Sequence, residues 1–360
     1  MSSMDPKISL GIAATILVGV FASSLFYDVS PKSSNNNAGP PSNNLRIGYF
    51  PNVNHAQAVL GFENGDFQKK LLNDGIRVRP FLFSAGPSVM EALFANQIDV
   101  AYIGPNPSIN GYIVSDGKDP RIIAGAASGG AVFVIRNDSG INSSKDFSGK
   151  KFASPQLGNT QDISLRTFLL RNGHNTKEKG GDVEVITATL QDILTLFLKK
   201  QIDGAWVPEP WGAMLQKEAN GKIFVDERSL WPAGKFVTAN IIARTDYLKN
   251  NQETVKKLLE LHVNETIWIN NHKDQAIFDF STALKKLTGK AIPGDELRQA
   301  FSRIDFTYDP IKESLFKLAK NEFQLGFLSQ VNRHEPELSG IYELTPLNSV
   351  LKEKGLPEIK

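Results

Sequence analysis

Two α/β lobes, each built on a mainly parallel sheet, are what this sequence predicts, and three observations predict them. The stretch Gln97-Ile98-Asp99-Val100-Ala101-Tyr102-Ile103 recurs in near copy as Gln201-Ile202-Asp203-Gly204-Ala205-Trp206-Val207, 104 positions later. The same shift lays Pro51 on Pro155, Gln57 on Gln161 and the apolar run Phe81-Leu82-Phe83 on Val185-Ile186-Thr187. Around each copy the segments read strand, polar turn, helix, strand, polar turn, helix, helix, strand, turn, and such alternation marks a parallel sheet covered by helices. Matched residues away from the turns are few, so the inference is a repeated layout rather than a proven gene duplication.

In sheets of this kind a ligand sits beyond the carboxyl ends of the strands, at loops leading into helix N-termini. The polar turns there are Asn52-Val53-Asn54-His55, Ser84-Ala85-Gly86-Pro87-Ser88 and Gly104-Pro105-Asn106-Pro107-Ser108 in the first lobe. In the second they are Gln156-Leu157-Gly158-Asn159-Thr160-Gln161 and Pro208-Glu209-Pro210-Trp211. Two lobes facing each other through such turns make a binding cleft.

A chain of 360 residues suits two domains plus accessories. With 41% hydrophobic and 22% charged residues it is ordinary for a globular protein, so disorder is excluded for most of its length. A formal charge of +2, with no basic stripe interleaved with aromatics, points away from nucleic acid and toward a small partner. The absence of cysteine excludes a thiol nucleophile, a Cys-ligated metal, an iron–sulfur cluster, disulfides and a lipid-bearing Cys. His174, His262, His272 and His334 form no metal spacing, and neither metal nor cofactor is expected.

Residues 8–27, ISLGIAATILVGVFASSLFY, carry no charge, and a helix of that length spans the roughly 30 Å hydrocarbon core. They read as an uncleaved anchor or a signal peptide, within a segment 1–29. Residues 30–44, SPKSSNNNAGPPSNN, lack apolar periodicity and read as a flexible tether. The first lobe takes residues 45–127 and the second 128–235. Residues 121–135 read as two strand-like runs joined by small residues, which suit a hinge crossing, and Phe236-Val237-Thr238-Ala239-Asn240-Ile241-Ile242-Ala243 carries the chain back, so that 236–360 rejoins the first lobe. From Glu253 onward the period is helical: Val255, Leu258, Leu259, His262, Val263, Thr266 and Ile267 form one stripe, and Phe278, Leu284 and Leu287 continue it in a next helix. Asp295 is the N-cap expected after Pro293-Gly294.

The stretches LRIGYFPNVNHAQAVLG, FSAGPSVMEALFANQIDVAYIGPNPSING, FASPQLGNTQDISLRTFL, QIDGAWVPEPWGAML and VDERSLWPAGKFVTANIIART resemble the nitrate/sulfonate/taurine group of solute-binding proteins that serve ABC importers. The resemblance covers essentially everything after the tether. It implies a type II periplasmic-binding-protein fold, an extracytoplasmic location, a monomer without catalysis, and a permease with its ATPase subunits as partners. Within that group it leaves sulfonate, taurine, nitrate, bicarbonate and vitamin precursors open, with an aliphatic sulfonate first. The pyrimidine synthases of thiamine biosynthesis resemble the same group, but they carry a cysteine-rich motif that is missing here.

The ligand-contact candidates follow from the turns. Asn159, Thr160, Gln161 and Gln156 offer donors at a helix start, although Asn159 with Asp162 also reads as a capping box. Ser84 and Gly86 stand where backbone approaches closely. Asn106 lies between two prolines, and Asn54 with His55 opens the first helix. Trp206 and Trp211 can wall the cleft or pack in a core, and Glu209 can meet a ligand amine or fix its own turn. None of the five turns holds Lys or Arg, so an anion would be held by helix N-termini and neutral donors.

Overall fold

The computed structural model describes residues 43–328, 334 and 336–360. The expected anchor and nearly all of the tether lie outside the described residues, among which no helix is long and apolar enough to cross a membrane. Among the described residues eleven strands form two sheets: β1 (Asn44–Tyr49), β2 (Arg77–Leu82), β3 (Val100–Ile103), β4 (Arg121–Gly129), β5 (Ala131–Arg136), β6 (Lys151–Ser154), β7 (Glu184–Thr187), β8 (Gly204–Pro208), β9 (Gly221–Asp226), β10 (Val237–Ala243) and β11 (Ile304–Phe306). Their orders are β11-β4-β10-β3-β1-β2 and β7-β6-β8-β5-β9.

The repeated heptapeptide supplies the central strand of each sheet. β3 lies parallel to β1 and antiparallel to β10, and β8 lies parallel to β6 and antiparallel to β5. Every residue of β3, β8 and β10 is buried, the pattern of strands covered on both faces. β2 is an edge strand, where Pro80 and the charged Arg77 and Arg79 are tolerated.

The ungapped register holds for only one strand of three. Ile47 pairs with Val100 as Phe152 pairs with Gly204, and Ile47 pairs with Pro80 as Phe152 pairs with Val185. The first two strands therefore correspond at a shift of 105 and the third at 104. The second copy is one residue shorter between its second and third strands, and this slip moves Phe81-Leu82-Phe83 one place off its expected partners. The helix pair also sits elsewhere: the α-helices Ala56–Glu63 and Asp66–Asn73 both lie between β1 and β2, and the second half has the single α-helix Thr160–Arg171 at the corresponding place.

The chain passes from the first sheet to the second at Gly129 and Gly130, where φ is 78° and 76°. A Cβ would lie 2.6 Å from the Arg303 carbonyl at Gly129 and 2.4 Å from Ile304 Cδ1 at Gly130, so both the backbone conformation and the space require glycine. The return runs from β9 through Trp231 and Phe236 into β10.

The helices Gln252–Asn271 and Lys273–Thr288 pack on the first half, joining Leu258, Leu259 and Phe280 to a core with Ile47, Tyr49 and Val59. Phe278 departs from the expected stripe and is 67% exposed, because Ala276, Ile277, Phe280, Ala283 and Leu284 form the buried face. The next helix, Gly294–Ser302, starts one residue before Asp295 with Pro293 at the N-cap.

Candidate ligand site

The carboxyl ends of β1, β2, β3, β6, β7 and β8 point into one space between the two halves. Its inner part is a recess of about 40 Å³ lined by Asn54, His55, Ser84, Gly86, Asn159, Thr160 and Gln161, with Phe50, Asn52, Leu190 and Thr238. Its outer part is a chamber of about 820 Å³ that shares Asn52, Ser84, Ala85, Pro155 and Leu190 with the recess. Gln156 and Trp211 line the chamber. Nine of the twelve candidate residues thus wall one of the two spaces, and their contact with a ligand is an expectation still.

Helix starts build the recess. Gly86–Phe94 begins with Pro87 in its first turn, and Thr160–Arg171 is capped by Asn159, whose Oδ1 accepts the Asp162 N–H at 2.9 Å. The Asp162 carboxylate in turn accepts from Gly158 N–H and Ser154 Oγ. Asn159 therefore spends its acceptor on its own helix, and the free N–H groups of both first turns are what the helices offer to an anion.

Three buried side-chain atoms at the recess have no hydrogen-bond partner among the described residues: Asn54 Oδ1, His55 Nδ1 and Thr160 Oγ1. The orientation of Asn54 is fixed, because its Nδ2 donates to the Gly129 carbonyl and to Thr238 Oγ1, both at 3.0 Å. What it presents unpaired is an acceptor. Burial pushes the His55 imidazole down to about 3, so it is uncharged at neutral pH. Among the described residues, no Lys, Arg, Asp or Glu lines the recess. Across its far side the two halves touch, since a Cβ on Gly104 would lie 2.5 Å from Thr160 Oγ1.

Three candidates stand elsewhere. Asn106 is wholly buried in the first turn of Pro105–Val114, and its Nδ2 donates to Glu322 Oε2 at 2.8 Å, because a buried carboxylate takes any donor within reach. Trp206 is wholly buried in the core of the second half, stacked on Phe133 across the β5–β8 pair, with its indole N–H donating to Glu227 Oε2 at 2.7 Å. Tyr102, its counterpart in the first copy, is likewise a core residue, and its O–H reaches His262 Nδ1 at 3.0 Å. Each aromatic buries its ring and meets a buried partner with its polar tip.

Glu209 is the third correction. It is wholly buried, Oε1 is held by Arg303 Nη1 at 2.5 Å, and Oε2 accepts the Ala213 N–H at 3.0 Å. It joins the second half to the segment before β11 and lines neither the recess nor the chamber.

The sequence reading missed Thr238, which accepts from Asn54 and donates to the Gly129 carbonyl at 2.6 Å. The available signal was a hydroxyl residue inside the apolar return strand. It also missed Leu284, Thr288, Lys290 and Ile292, which line the chamber from the end of the helix Lys273–Thr288 and the turn after it. Among the described residues Lys290 is the one charged residue of the chamber wall, and its Nζ is held by both oxygens of Glu218 at 3.0 and 2.9 Å.

Two α/β halves whose strand ends meet over a polar recess define the architecture of the two-lobed solute-binding proteins. The model of the NMT1-like family matches residues 38–278, and the chain belongs to that family. A protein of Brucella abortus (strain 2308), provisionally named a binding protein, is 29% identical over 216 residues, 60% of this chain and 63% of that one. The chain thus spans just under two thirds of that relative. A protein of Bacillus subtilis (strain 168), provisionally named an aliphatic sulfonates-binding protein, is 24% identical over 249 residues, 69% of this chain and 71% of that one. Among solved structures, the alkanesulfonate-binding protein from Xanthomonas axonopodis pv. citri bound to MOPS shares the fold, with a TM-score of 0.68 at 16% identity over 85% of this chain and 100% of that one.

Proposed function

We propose that this protein is the extracytoplasmic solute-binding component of an ABC importer and captures a small organic anion, an aliphatic sulfonate first. The carrying observation is the recess: two helix N-termini and the unpartnered His55 Nδ1 and Thr160 Oγ1 converge where, among the described residues, no charged side chain stands. A sulfonate stays ionised, accepts from helix N–H groups, Thr160 and the imidazole N–H, and needs no counter-charge. The similarity to an aliphatic sulfonates-binding protein supports the same reading.

In this reading residues 45–127 with 236–360 form one lobe and residues 128–235 the other. They close about Gly129-Gly130 and the return crossing, and the closed protein is handed to a permease with its ATPase subunits. Residues 8–27 hold the monomer at the outer face of the membrane, and the chain performs no chemistry.

One observation favours a second reading. Asn54 Oδ1 is an acceptor without a donor, and a neutral heteroaromatic of the vitamin-precursor kind brings an N–H that a sulfonate lacks. Calorimetry of the purified protein with ethanesulfonate, nitrate, bicarbonate and an aminopyrimidine separates them. Micromolar or tighter binding of ethanesulfonate is the expected result, and tighter binding of the aminopyrimidine overturns it.

A further inference from the structure

We infer that the solute of this site is an amphiphile, a compact polar head carrying an apolar body of about ring size or longer, so that taurine, nitrate and bicarbonate are not its main ligands. The inference rests on the reading above of the recess as the head-group site. It comes from the relative size and chemistry of the two connected spaces.

The recess of about 40 Å³ has room for one compact group and no more. The chamber that opens from it is about 820 Å³, inside the range of about 300 to 1,000 Å³ in which pockets bury drug-sized molecules. Its walls include Leu82, Phe83, Leu190, Trp211, Leu284 and Ile292, drawn from both halves. A ligand confined to the recess leaves that apolar wall against water, and its binding takes nothing from burying it.

Charge points the same way. Among the described residues no carboxylate lines the recess or the chamber, since Glu209 is buried against Arg303 and Glu218 serves Lys290 from outside the wall. The ammonium of a zwitterion would leave water without an acceptor of opposite charge, which is costly in an enclosed cleft. A neutral aliphatic or aromatic body meets no such penalty. Trp211 offers it a face, because the residue is only half buried and packs between the apolar clusters of the two halves.

The test is a chain-length series with two heads, measured by calorimetry on the purified protein. One series runs from methanesulfonate to hexanesulfonate, with 2-naphthalenesulfonate and taurine beside it, and the other from methanesulfonamide to hexanesulfonamide. Each added methylene is expected to tighten binding about fourfold over the first steps. Taurine is expected to bind more weakly than ethanesulfonate.

Two variants locate the effect. Thr187→Trp places a ring in the chamber from an exposed wall position, and should weaken hexanesulfonate about tenfold or more while leaving methanesulfonate within about twofold. Trp211→Ala should flatten the dependence on length. Equal affinities along both series, or taurine binding tighter than hexanesulfonate, overturn the inference and leave the sulfonate reading standing. A steep sulfonamide series with no sulfonate binding at any length supports the amphiphile and overturns the anion. Failure of both series overturns both.

Discussion

Asp99 and Asp203 occupy the same place in the two sheets. Each precedes the central strand, and its Oδ2 accepts the backbone N–H at the start of the parallel neighbour, Arg46 for one and Lys151 for the other, both at 2.9 Å. Each carboxylate also receives a guanidinium from the antiparallel neighbour, Arg244 at 3.1 Å and Arg136 at 3.2 Å. The backbones agree as well: Asp99 N–H donates to the Arg46 carbonyl and Asp203 N–H to the Lys151 carbonyl, at 2.9 and 2.7 Å. These acids lie at the strand ends remote from the cleft, so the aspartate in the repeated phrase is a register pin rather than a ligand contact.

Their exposure sets the first prediction. The Asp99 side chain is 3% exposed and that of Asp203 is 21%. Asp99→Ala should cost about 3 kcal/mol, because it removes a buried carboxylate shared by two guanidiniums and leaves the largely buried Arg244 with the exposed Asp246 alone, and Asp203→Ala about 1 kcal/mol. Urea unfolding of both variants checks the order, and equal losses would contradict it.

This pair also shows what was legible in the sequence. A phrase repeated because it builds the same corner twice reveals the layout, since corner chemistry is local: an aspartate, a buried strand, a polar turn. Side-chain direction is not local. Trp206 and Glu209 sit in the same phrase as the turn they were expected to wall, yet they face Glu227 and Arg303, partners 21 and 94 positions away. Asn106 is claimed by Glu322, 216 positions on. The capping of its own helix by Asn159, through the Asp162 N–H three residues on, was readable. The overhang of Leu284 and Ile292 was not, because nothing in their own helical period says which sheet end they cover.

Fluorescence follows from the two tryptophans. Trp206 is sealed in a core and Trp211 lines the chamber. A bound solute should shift the emission of the parent protein and of Trp206→Phe, and Trp211→Phe should lose most of the response. Loss in the first variant instead would place the solute elsewhere.

Gly104 tests closure. A Cβ there would stand 2.5 Å from Thr160 Oγ1 on the opposite half, while φ of −67° is one any residue adopts. Gly104→Ala should fold normally and weaken ligand binding about tenfold or more by holding the halves apart, since real Cβ contacts do not approach so closely. Thr160→Ser should not rescue it, and Thr160→Gly should restore closure as read by small-angle scattering with ligand. An unchanged affinity in Gly104→Ala would mean that this contact is not part of the bound state.

A pH dependence of stability follows from Glu322. It is wholly buried and accepts from Asn106 and Asn110. Burial raises its pKa to about 8, the two amide donors act to lower it, and Asp162 nearby raises it further. The folded state therefore holds a proton that the unfolded chain releases near 4.5. The stabilisation is full below about 4.5 and declines through the window up to about 8, by at most about 1.4 kcal/mol per pH unit. Glu227 and Glu265, each raised to about 7 mainly by burial, add the same sign over a shorter window. Glu322→Gln should flatten the slope of urea midpoint against pH and leave the part due to the other two. Asn106 can turn its unpartnered Oδ1 to the new amide. Parallel slopes in parent and variant would refute the assignment.

Glu209 gives the prediction that separates a ligand contact from a structural tie. If it met a ligand amine, Glu209→Gln would weaken an aminosulfonate and spare an alkanesulfonate. The geometry requires otherwise: Oε1 is 2.5 Å from Arg303 Nη1, Oε2 takes the Ala213 N–H, and Arg303 also donates to Gln216 Oε1 at 2.8 Å. Burial raises the carboxyl pKa and Arg303 opposes it. The pair therefore stands or falls together across the two halves, beside the glycine crossing that Arg303 also touches through its carbonyl. Removing the charge leaves a guanidinium that is 15% exposed without a counter-ion, a loss of about 2 to 4 kcal/mol in stability. Taurine and ethanesulfonate should weaken by the same factor, and Glu209→Met with Arg303→Met should recover much of the stability by removing both charges at once. A selective loss for taurine, with stability unchanged, would return Glu209 to the ligand.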